Sequence, residues 1–342
     1  MTRRNTTGLL VWMLSLMLIM ALSVPAASAA DKAVELRYST FFPPTHGHAI
    51  LSDQWAKEVE KRTNGAVKVV MFPGATLTPA DQTYDGVVKG IADVGMSVVS
   101  YVKGRFPFTE VIDLPLGYSR GYQATRLANA CLQKFKPKEY DDVKIMYFHA
   151  HGPGVFHSKK PLAKLDDLKG LKIRCSGTSA KVVSALGATP VAMPQTETYD
   201  ALSKGVVDGV VSPVEVLKGW KFAEVVKNTT LNFGSSYSLS FFVVMNKKKW
   251  ESLSKEAQAT IEQINKEWIE KTGKSWDEFD KVGTEFAKGQ GVVFANLTKD
   301  EDAKWAEKVK PVMDEYVKAM KEKNLPGEEA LKFCREWLKS NP

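Results

Sequence analysis

A fifteen-residue pattern occurs twice in this chain and constrains its fold more than any other feature. Residues 82–96 (QTYDGVVKGIADVGM) align without gaps with residues 197–211 (ETYDALSKGVVDGVV). Each copy predicts a short helix, a glycine where the helix end needs a left-handed backbone, and a β-branched strand. A unit repeated 115 residues apart is typical of two similar α/β lobes rather than of a solenoid. Two lobes form a cleft, and clefts between domains are where small ligands bind.

The rest of the chain predicts strands and helices in alternation, with helices on both faces of each sheet. The strand predicted at 144–149 ends at Gly152-Pro153-Gly154, where we expect the chain to change lobes. A later strand at 241–246 leads into a helical pattern from about Lys255 to Lys288. Unless Gly273 interrupts it, this helix would be about 50 Å long and could bridge both lobes.

The first thirty residues predict an export signal rather than part of the fold. Arg3 and Arg4 give a positive start, residues 9–22 are apolar, and residues 27–29 (ASA) are small enough for cleavage. No later stretch approaches the roughly twenty apolar residues of a membrane span. We therefore expect residues 1–30 to be a cleaved signal peptide and the mature protein to be periplasmic, with an uncleaved anchor as the alternative.

The charge distribution argues against nucleic acid as a partner. The formal net charge is +8, and loss of the two arginines in residues 1–30 reduces it to +6. The excess lies in lysine runs such as 247–249 and 318–323, which acidic residues surround. Such runs are typical of solvated helix faces and not of a basic stripe with stacking aromatics. A mildly positive surface favours anionic solutes only slightly.

Three cysteines, Cys131, Cys175 and Cys334, make an odd count. In an oxidising compartment one pair can bridge and leave one free thiol. Cys131 and Cys334 both lie in helical patterns, so they are the predicted pair, and three buried unbonded cysteines are the alternative. No Cys-x-x-Cys spacing is present, so thiol redox chemistry is not supported.

Arg174 is the strongest candidate for a binding residue. It ends the predicted strand 171–175, directly before the polar turn 176–179, whose hydroxyls are expected to cap a helix. A planar guanidinium binds a carboxylate through two parallel hydrogen bonds, which a lysine cannot do. The alternative is an exposed residue on an edge strand.

The five histidines fall in two groups, and they leave two interpretations open. The first group is His46 and His48, and the second is His149, His151 and His157. His-x-His pairs can hold a transition metal, but no Asp, Glu or Cys accompanies them at a recognisable spacing. We therefore expect no metal site, and we predict His149 to be a neutral hydrogen-bond donor to a ligand.

Enzyme motifs are missing from the sequence. It has no Gly-x-Ser-x-Gly, His-Glu-x-x-His, P-loop or dinucleotide-binding glycine set. Asp93 and Asp208 follow the glycine of each repeat copy, where a turn into a strand commonly uses aspartate. We expect a protein that is not an enzyme and has no cofactor.

Several segments together resemble the solute-binding proteins of tripartite ATP-independent periplasmic (TRAP) transporters. The likeness covers nearly the whole chain after residue 30. The segments are 55–59 (WAKEV), 113–116 (DLPL), 168–174 (LKGLKIR), 187–190 (GATP), Met193, 197–199 (ETY), 201–202 (AL) and 207–213 (VDGVVSP).

The resemblance implies an α/β fold of the two-lobed periplasmic-binding-protein type, with hinge strands and a long helix that spans both domains. We place residues 31–151 and about 240–280 in the first lobe. The second lobe then contains residues 152–239 and about 281–342.

The resemblance also implies that Arg174 pairs with a substrate carboxylate. Family members often have Asn where this chain has Ser212, which weakens transfer of a ligand's identity. The sialic-acid-binding members have an arginine in the segment that corresponds to residues 152–154. This chain has Gly-Pro-Gly there, which argues against sialic acid. Phe41 and Tyr101 match pocket positions, and with Trp220 nearby they favour a flat, apolar acid such as an indole- or phenyl-type keto acid.

We therefore predict a receptor that captures a small organic anion between its lobes and delivers it to membrane permease subunits, as a monomer. The alternative is a periplasmic metal-binding protein or enzyme that uses the His-x-His pairs on the same scaffold. The predicted ligand-binding residues are Phe41, Tyr101, His149, Arg174, Ser212, Glu215, Trp220 and Tyr237.

Overall fold

A computed structural model describes residues 33–342, so the predicted signal peptide lies outside the described residues. Eleven strands occur in this part of the chain. They are β1 (Val34–Thr40), β2 (Val67–Phe72), β3 (Val94–Val98), β4 (Val143–Ala150), β5 (Val155–Ser158), β6 (Lys172–Cys175), β7 (Thr189–Ala192), β8 (Gly209–Ser212), β9 (Asn228–Leu231), β10 (Ser240–Asn246) and β11 (Val293–Asn296).

Ten α-helices accompany these strands within residues 33–342. They are α1 (Gly47–Arg62), α2 (Thr83–Val88), α3 (Gly121–Phe135), α4 (Ser179–Ala185), α5 (Thr198–Ser203), α6 (Val216–Gly219), α7 (Lys247–Glu251), α8 (Lys255–Gly289), α9 (Lys299–Glu322) and α10 (Gly327–Ser340). None of the helices in the described part of the chain is long and apolar enough to cross a membrane.

The first lobe is built on a five-stranded sheet in the order β2-β1-β3-β10-β4. β1 pairs in parallel with β2 and β3, whereas β10 is antiparallel to both of its neighbours. β10 enters this sheet after the chain has passed through the second lobe. Six of its seven residues are buried, because it is a central strand with side chains packed on both faces.

The second lobe is built on a six-stranded sheet in the order β11-β9-β5-β8-β6-β7. β6 lies between β7 and β8 and is parallel to both. β5 is antiparallel to β8 and β9. The expectation of a two-lobed α/β fold is therefore confirmed.

The repeat has the same structure in both lobes. Gly90 and Gly205 end their helices with φ of 74° and 72°, in the left-handed region that glycine adopts at no steric cost. The carboxylate of Asp93 accepts the backbone N–H of Arg37 at 2.8 Å, and that of Asp208 accepts the backbone N–H of Lys172 at 2.8 Å. Each aspartate thus fixes the repeat's strand against the preceding parallel strand, which is the structural role predicted for it.

Two short connectors join the lobes side by side. Residues 151–154 lead from β4 to β5, and residues 232–239 lead from β9 back to β10. They bond to each other: the N–H of Gly154 donates to the Tyr237 carbonyl at 2.8 Å, and the N–H of His151 donates to the Leu239 carbonyl at 3.3 Å. The paired connectors lie where a hinge between the lobes is expected.

The predicted long helix is a single element, α8, of 35 residues and about 52 Å. Gly273 does not interrupt it. A Cβ at Gly273 would lie 3.0 Å from Tyr122 of α3, so the glycine lets two helices of the first lobe approach. Farther along, Gly283 packs against Val214 of the second lobe, where a Cβ would lie 2.8 Å from the carbonyl oxygen. α8 therefore contacts both lobes, as expected for a bridging helix.

The C-terminal helices also contact both lobes. Trp305 of α9 packs edge-on against Phe156 of β5, whereas Tyr316 near the other end of α9 donates to the Phe108 carbonyl of the first lobe at 2.9 Å. α10 then packs on α3 of the first lobe. The segment 281–342 is thus divided between the lobes, and the lobe boundaries stay a prediction.

Two local expectations differ from the structure. Cys131 and Cys334 are neighbours in the core, but both are free thiols, as is Cys175, so the predicted disulfide is absent from the structure. The turn before α4 carries no side-chain cap, because the Ser179 hydroxyl bonds back to the N–H and carbonyl of Ser176 at 3.0 and 2.6 Å. Local side-chain bonding of this kind competes with capping.

A buried acid in the first lobe gives a testable pH dependence. One oxygen of Asp113 accepts the N–H and the hydroxyl of Ser240 at 2.8 and 2.7 Å, and the other is without a partner among residues 33–342. Burial raises the pKa of Asp113 well above its usual value. The folded state therefore binds the proton more tightly than the unfolded state, and stability falls as pH rises from the unfolded pKa through the folded pKa.

We expect Asp113→Asn to reduce this fall, because the amide oxygen still accepts from Ser240 and the side chain cannot ionise. Urea unfolding at about pH 5 and about pH 8 measures the change in the free energy of unfolding. The exposed Asp81→Asn variant is the control and should follow the wild type. An equal fall in wild type and Asp113→Asn would contradict the expectation.

Candidate functional site

The two lobes and their connectors line a cavity between them. Seven of the eight predicted binding residues line it: Phe41, Tyr101, Arg174, Ser212, Glu215, Trp220 and Tyr237. Nine further residues complete the lining and were missed in the sequence: Phe42, Val98, His151, Gln195, Pro213, Val216, Leu239, Phe241 and Trp276.

Arg174 reaches the cavity from the end of β6. The strand is fixed between its neighbours, with Arg174 opposite Val191 of β7 and Val210 of β8. Only 2% of the residue is exposed. Its Nε and Nη2 atoms donate to the Met193 carbonyl at 3.1 and 2.8 Å, and Nη2 also lies 3.4 Å from the Tyr101 hydroxyl oxygen. The guanidinium is thus held in one orientation by neutral oxygens.

Tyr101 crosses from the first lobe to contact Arg174. Its hydroxyl oxygen accepts from Arg174 and, at 3.0 Å, from the backbone N–H of Gln195. Because this oxygen already accepts two hydrogen bonds, its own O–H remains to donate. The side-chain amide nitrogen of Gln195 is buried without a partner among residues 33–342. Arg174, Tyr101 and Gln195 therefore form a donor end of the cavity.

Aromatic rings form the wall beside this donor end. Phe41 and Phe42 follow β1 and stack at 4.5 Å between centroids. Phe41 also lies 6.1 Å from Trp220 and 6.4 Å from Phe241, nearly parallel to both rings. This aromatic wall, formed by Phe41, Phe42, Trp220 and Phe241, suits a flat apolar solute body.

A buried His–Glu pair lies beyond the aromatic wall. The His46 ring stacks on Phe42 at 4.4 Å. Nδ1 of His46 accepts the N–H of His48 at 3.2 Å, so Nε2 carries a proton and donates to the Glu215 carboxylate at 3.0 Å. A Cβ on Gly219 would lie 2.5 Å from that carboxylate, so glycine is needed there. The pair joins the two lobes and adds a buried carboxylate to the lining of the cavity.

His149 does not line the cavity. It lies one layer behind, stacked on Phe241 at 4.6 Å, and its Nδ1 accepts from the Trp276 indole at 3.1 Å. Burial lowers the pKa of His149 to about 3, so the ring is neutral. The neighbouring His151 borders the cavity instead. The Tyr237 hydroxyl, which lines the cavity, already donates to the Val211 carbonyl at 3.0 Å and can only accept from a solute.

His157 has a structural role. Nε2 of His157 donates to the Ser212 carbonyl at 3.2 Å, and Nδ1 accepts from the Thr229 hydroxyl at 2.9 Å. Burial lowers the pKa of His157 to about 4. Within residues 33–342, no group of three or more His, Cys, Asp or Glu side chains could hold a metal ion. The metal-binding alternative therefore gains no support from the geometry.

A cation and donors at one end, an aromatic wall and contributions from two hinged lobes define a binding site for a small organic anion. The family described as "Bacterial extracellular solute-binding protein, family 7" matches residues 39–319. The chain belongs to this family, and the resemblance read from the sequence is confirmed.

Solved structures support the same assignment. A TRAP periplasmic solute-binding protein from Bordetella bronchiseptica with bound (R)- and (S)-mandelate is 32% identical, with a TM-score of 0.83 over 90% of this chain and 100% of that chain. A marine metagenome TRAP solute-binding protein specific for aromatic acid ligands, in complex with metahydroxyphenylacetate, is 28% identical. Its TM-score is 0.86 over 90% of this chain and 99% of that chain.

A further relative is named for a different class of ligand. The C4-dicarboxylate-binding periplasmic protein DctP of Rhodobacter capsulatus is 29% identical over 326 residues, which cover 92% of this chain and 94% of that protein. Relatives of similar identity thus include binders of aliphatic and of aromatic acids.

Proposed function

We propose that this protein is the extracytoplasmic solute receptor of a TRAP transporter. It captures a small organic carboxylate between its lobes and delivers it to membrane permease subunits. The observation that carries the proposal is the buried Arg174, which faces a cavity lined by both lobes. The family match supports transport rather than catalysis, because its members are solute-binding proteins.

The donor end suits a carboxylate. A carboxylate has two oxygens and about four lone-pair sites, all of them acceptors. Arg174, the O–H of Tyr101 and the amide of Gln195 can all donate toward them. A carboxylate there would neutralise a buried cation whose hydrogen bonds within residues 33–342 go to neutral oxygens. Charge-assisted bonds of this kind are about twice as strong as neutral ones.

The aromatic wall favours an aromatic body on the solute. Four rings surround the same space. Phe41 and Phe42 directly follow β1, Trp220 directly follows α6, and Phe241 lies in β10. The relatives that bind mandelate and metahydroxyphenylacetate carry such a solute. A short dicarboxylate would leave these rings without an apolar partner and would place its second charge against apolar carbon.

Binding is coupled to closure because the site is complete only when the lobes meet. Arg174 and Gln195 come from the second lobe, and Tyr101 comes from the first. A solute that touches both lobes stabilises the closed state over the open one by its differential affinity. The permease would then recognise the closed, loaded form.

Arg174→Ala tests the anchor. We expect the affinity for a bound aromatic carboxylate such as phenylacetate to fall about 100-fold, near 3 kcal/mol, because the charge-assisted hydrogen bonds of the guanidinium are lost. Isothermal titration calorimetry measures this after denaturation and refolding have removed co-purified solute. Arg174→Lys should restore only part of the affinity, since it keeps the charge and loses the fork. Arg126→Ala, on the exposed surface of α3, is the control, and undiminished binding by Arg174→Ala would refute the anchor.

Gly177→Ala tests closure. Gly177 has φ of 51°, and a Cβ there would lie 2.2 Å from Cβ of Ser100 in the first lobe. Gly170 has φ of 77° and no atom within 4 Å of its Cβ position. Both alanine variants strain the backbone by about 1–2 kcal/mol, but only Gly177→Ala obstructs the lobe contact.

We therefore expect Gly177→Ala to weaken solute binding at least about tenfold and Gly170→Ala to bind like the wild type. Calorimetry gives the affinity, and small-angle X-ray scattering with saturating solute gives the compactness. Equal affinity of the two variants would show that the contact between Gly177 and Ser100 does not control closure.

A further inference from the structure

His151 borders the cavity without a role in anchoring the carboxylate as proposed above. It begins the first connector between the lobes, and it is 2% exposed. Its ring packs edge-on against Tyr237 at 5.5 Å and against Trp276 at 6.0 Å, so two neighbours that also line the cavity fix its orientation.

The hydrogen bond at Nδ1 fixes the tautomer of this ring. Nδ1 lies 2.5 Å from the carbonyl oxygen of Gly152. A carbonyl oxygen only accepts, so Nδ1 carries the proton. Burial, with a contribution from the charge of Arg174, lowers the pKa of His151 to about 4, which keeps the ring neutral near pH 7. In a neutral ring with its proton on Nδ1, Nε2 presents a lone pair and can only accept.

This acceptor has no partner in the protein. Nε2 of His151 is buried and makes no hydrogen bond within residues 33–342. A buried acceptor left unpaired is costly, and most such atoms in folded proteins are paired. The cavity is the space that the ring borders, so a donor on the solute would satisfy Nε2.

The position of His151 says which part of the solute must donate. Tyr237 packs on the His151 ring and donates to the carbonyl of Val211. Val210, the residue before it on β8, pairs with Arg174 of β6. His151 therefore lies beside the donor end. The Glu215 carboxylate accepts from His46, whose ring stacks on Phe42 of the aromatic wall.

We propose that Nε2 of His151 accepts a hydrogen bond from a hydroxyl on the carbon next to the solute's carboxylate. The receptor thereby selects aromatic 2-hydroxy acids over the matching acids without that hydroxyl. A 2-keto acid presents an acceptor to Nε2 and is disfavoured. This inference rests on the proposed function, because it assumes that Arg174 holds the carboxylate.

Titration calorimetry of the wild-type protein with four acids, each built on one benzene ring, tests the inference. They are mandelate, with its enantiomers measured separately, phenylacetate, phenylglyoxylate and 3-hydroxyphenylacetate. We expect one enantiomer of mandelate to bind roughly tenfold or more tightly than each of the other three acids, the amount that one buried hydrogen bond contributes.

The outcomes separate the two proposals. Phenylacetate or phenylglyoxylate binding as tightly as mandelate would overturn the role of His151 and leave the proposed function intact. Tighter binding of 3-hydroxyphenylacetate would overturn it too, because the favoured hydroxyl would then lie on the ring and not beside the carboxylate. Binding of none of the four acids would overturn both the role of His151 and the proposed aromatic body of the solute.

Two variants assign the effect to Nε2. His151→Asn keeps an N–H near Nδ1 for the Gly152 carbonyl but removes the acceptor. We expect its mandelate affinity to fall toward that of phenylacetate, so that the ratio of the two affinities approaches one. His151→Gln can place its amide oxygen near the position of Nε2, and we expect it to retain part of the preference. Each variant is judged by the ratio of the two affinities, so an equal loss for both acids would show a merely structural role and refute the proposal.

Discussion

The hydrogen bonds from Arg174 to the Met193 carbonyl and the Tyr101 hydroxyl are the interactions on which the site depends. They hold a guanidinium in one orientation inside the protein, although they offer it no opposite charge. Burying a cation without an anion is unfavourable, so the fold must supply the stability that keeps it there. The parallel strands on both sides of β6 do this by fixing the backbone of Arg174. A carboxylate that enters the cavity is attracted by the positive charge of Arg174, which these hydrogen bonds leave without a counter-charge.

The same arrangement explains why the connectors matter for binding as well as for hinge movement. His151, Tyr237 and Leu239 lie in the two connectors and line the cavity. The backbone bonds between the connectors keep these side chains at fixed positions relative to each other while the lobes contribute Arg174 and Tyr101 from either side. A solute bound as proposed would rest on the hinge between the two lobes.

Local patterns in the sequence predicted the features that local chemistry decides. Gly90, Gly205, Asp93 and Asp208 take the roles expected from the repeat, and Arg174 is in the cavity because a strand end beside a turn faces the lobe interface. His149 and His151 could not be ranked by sequence, since alternation puts both on one face and only the packing of α8 shows that Trp276 shields His149. Gln195 and Trp276 carry no local signal, because one lies in a short turn and the other at an ordinary apolar position of a helix. The sequence could not decide the predicted disulfide, because the packing of α3 and α10 brings Cys131 and Cys334 together whether or not they bond.

The packing of α8 has a consequence for how the lobes separate. One helix of 35 residues contacts the first lobe along much of its length and meets the second lobe at Gly283, where no side chain keeps the surfaces apart. Such a close contact resists sliding but permits rotation about itself. A lobe opening about the paired connectors would therefore turn about an axis near Gly283 and would widen the cleft on the side away from the helix.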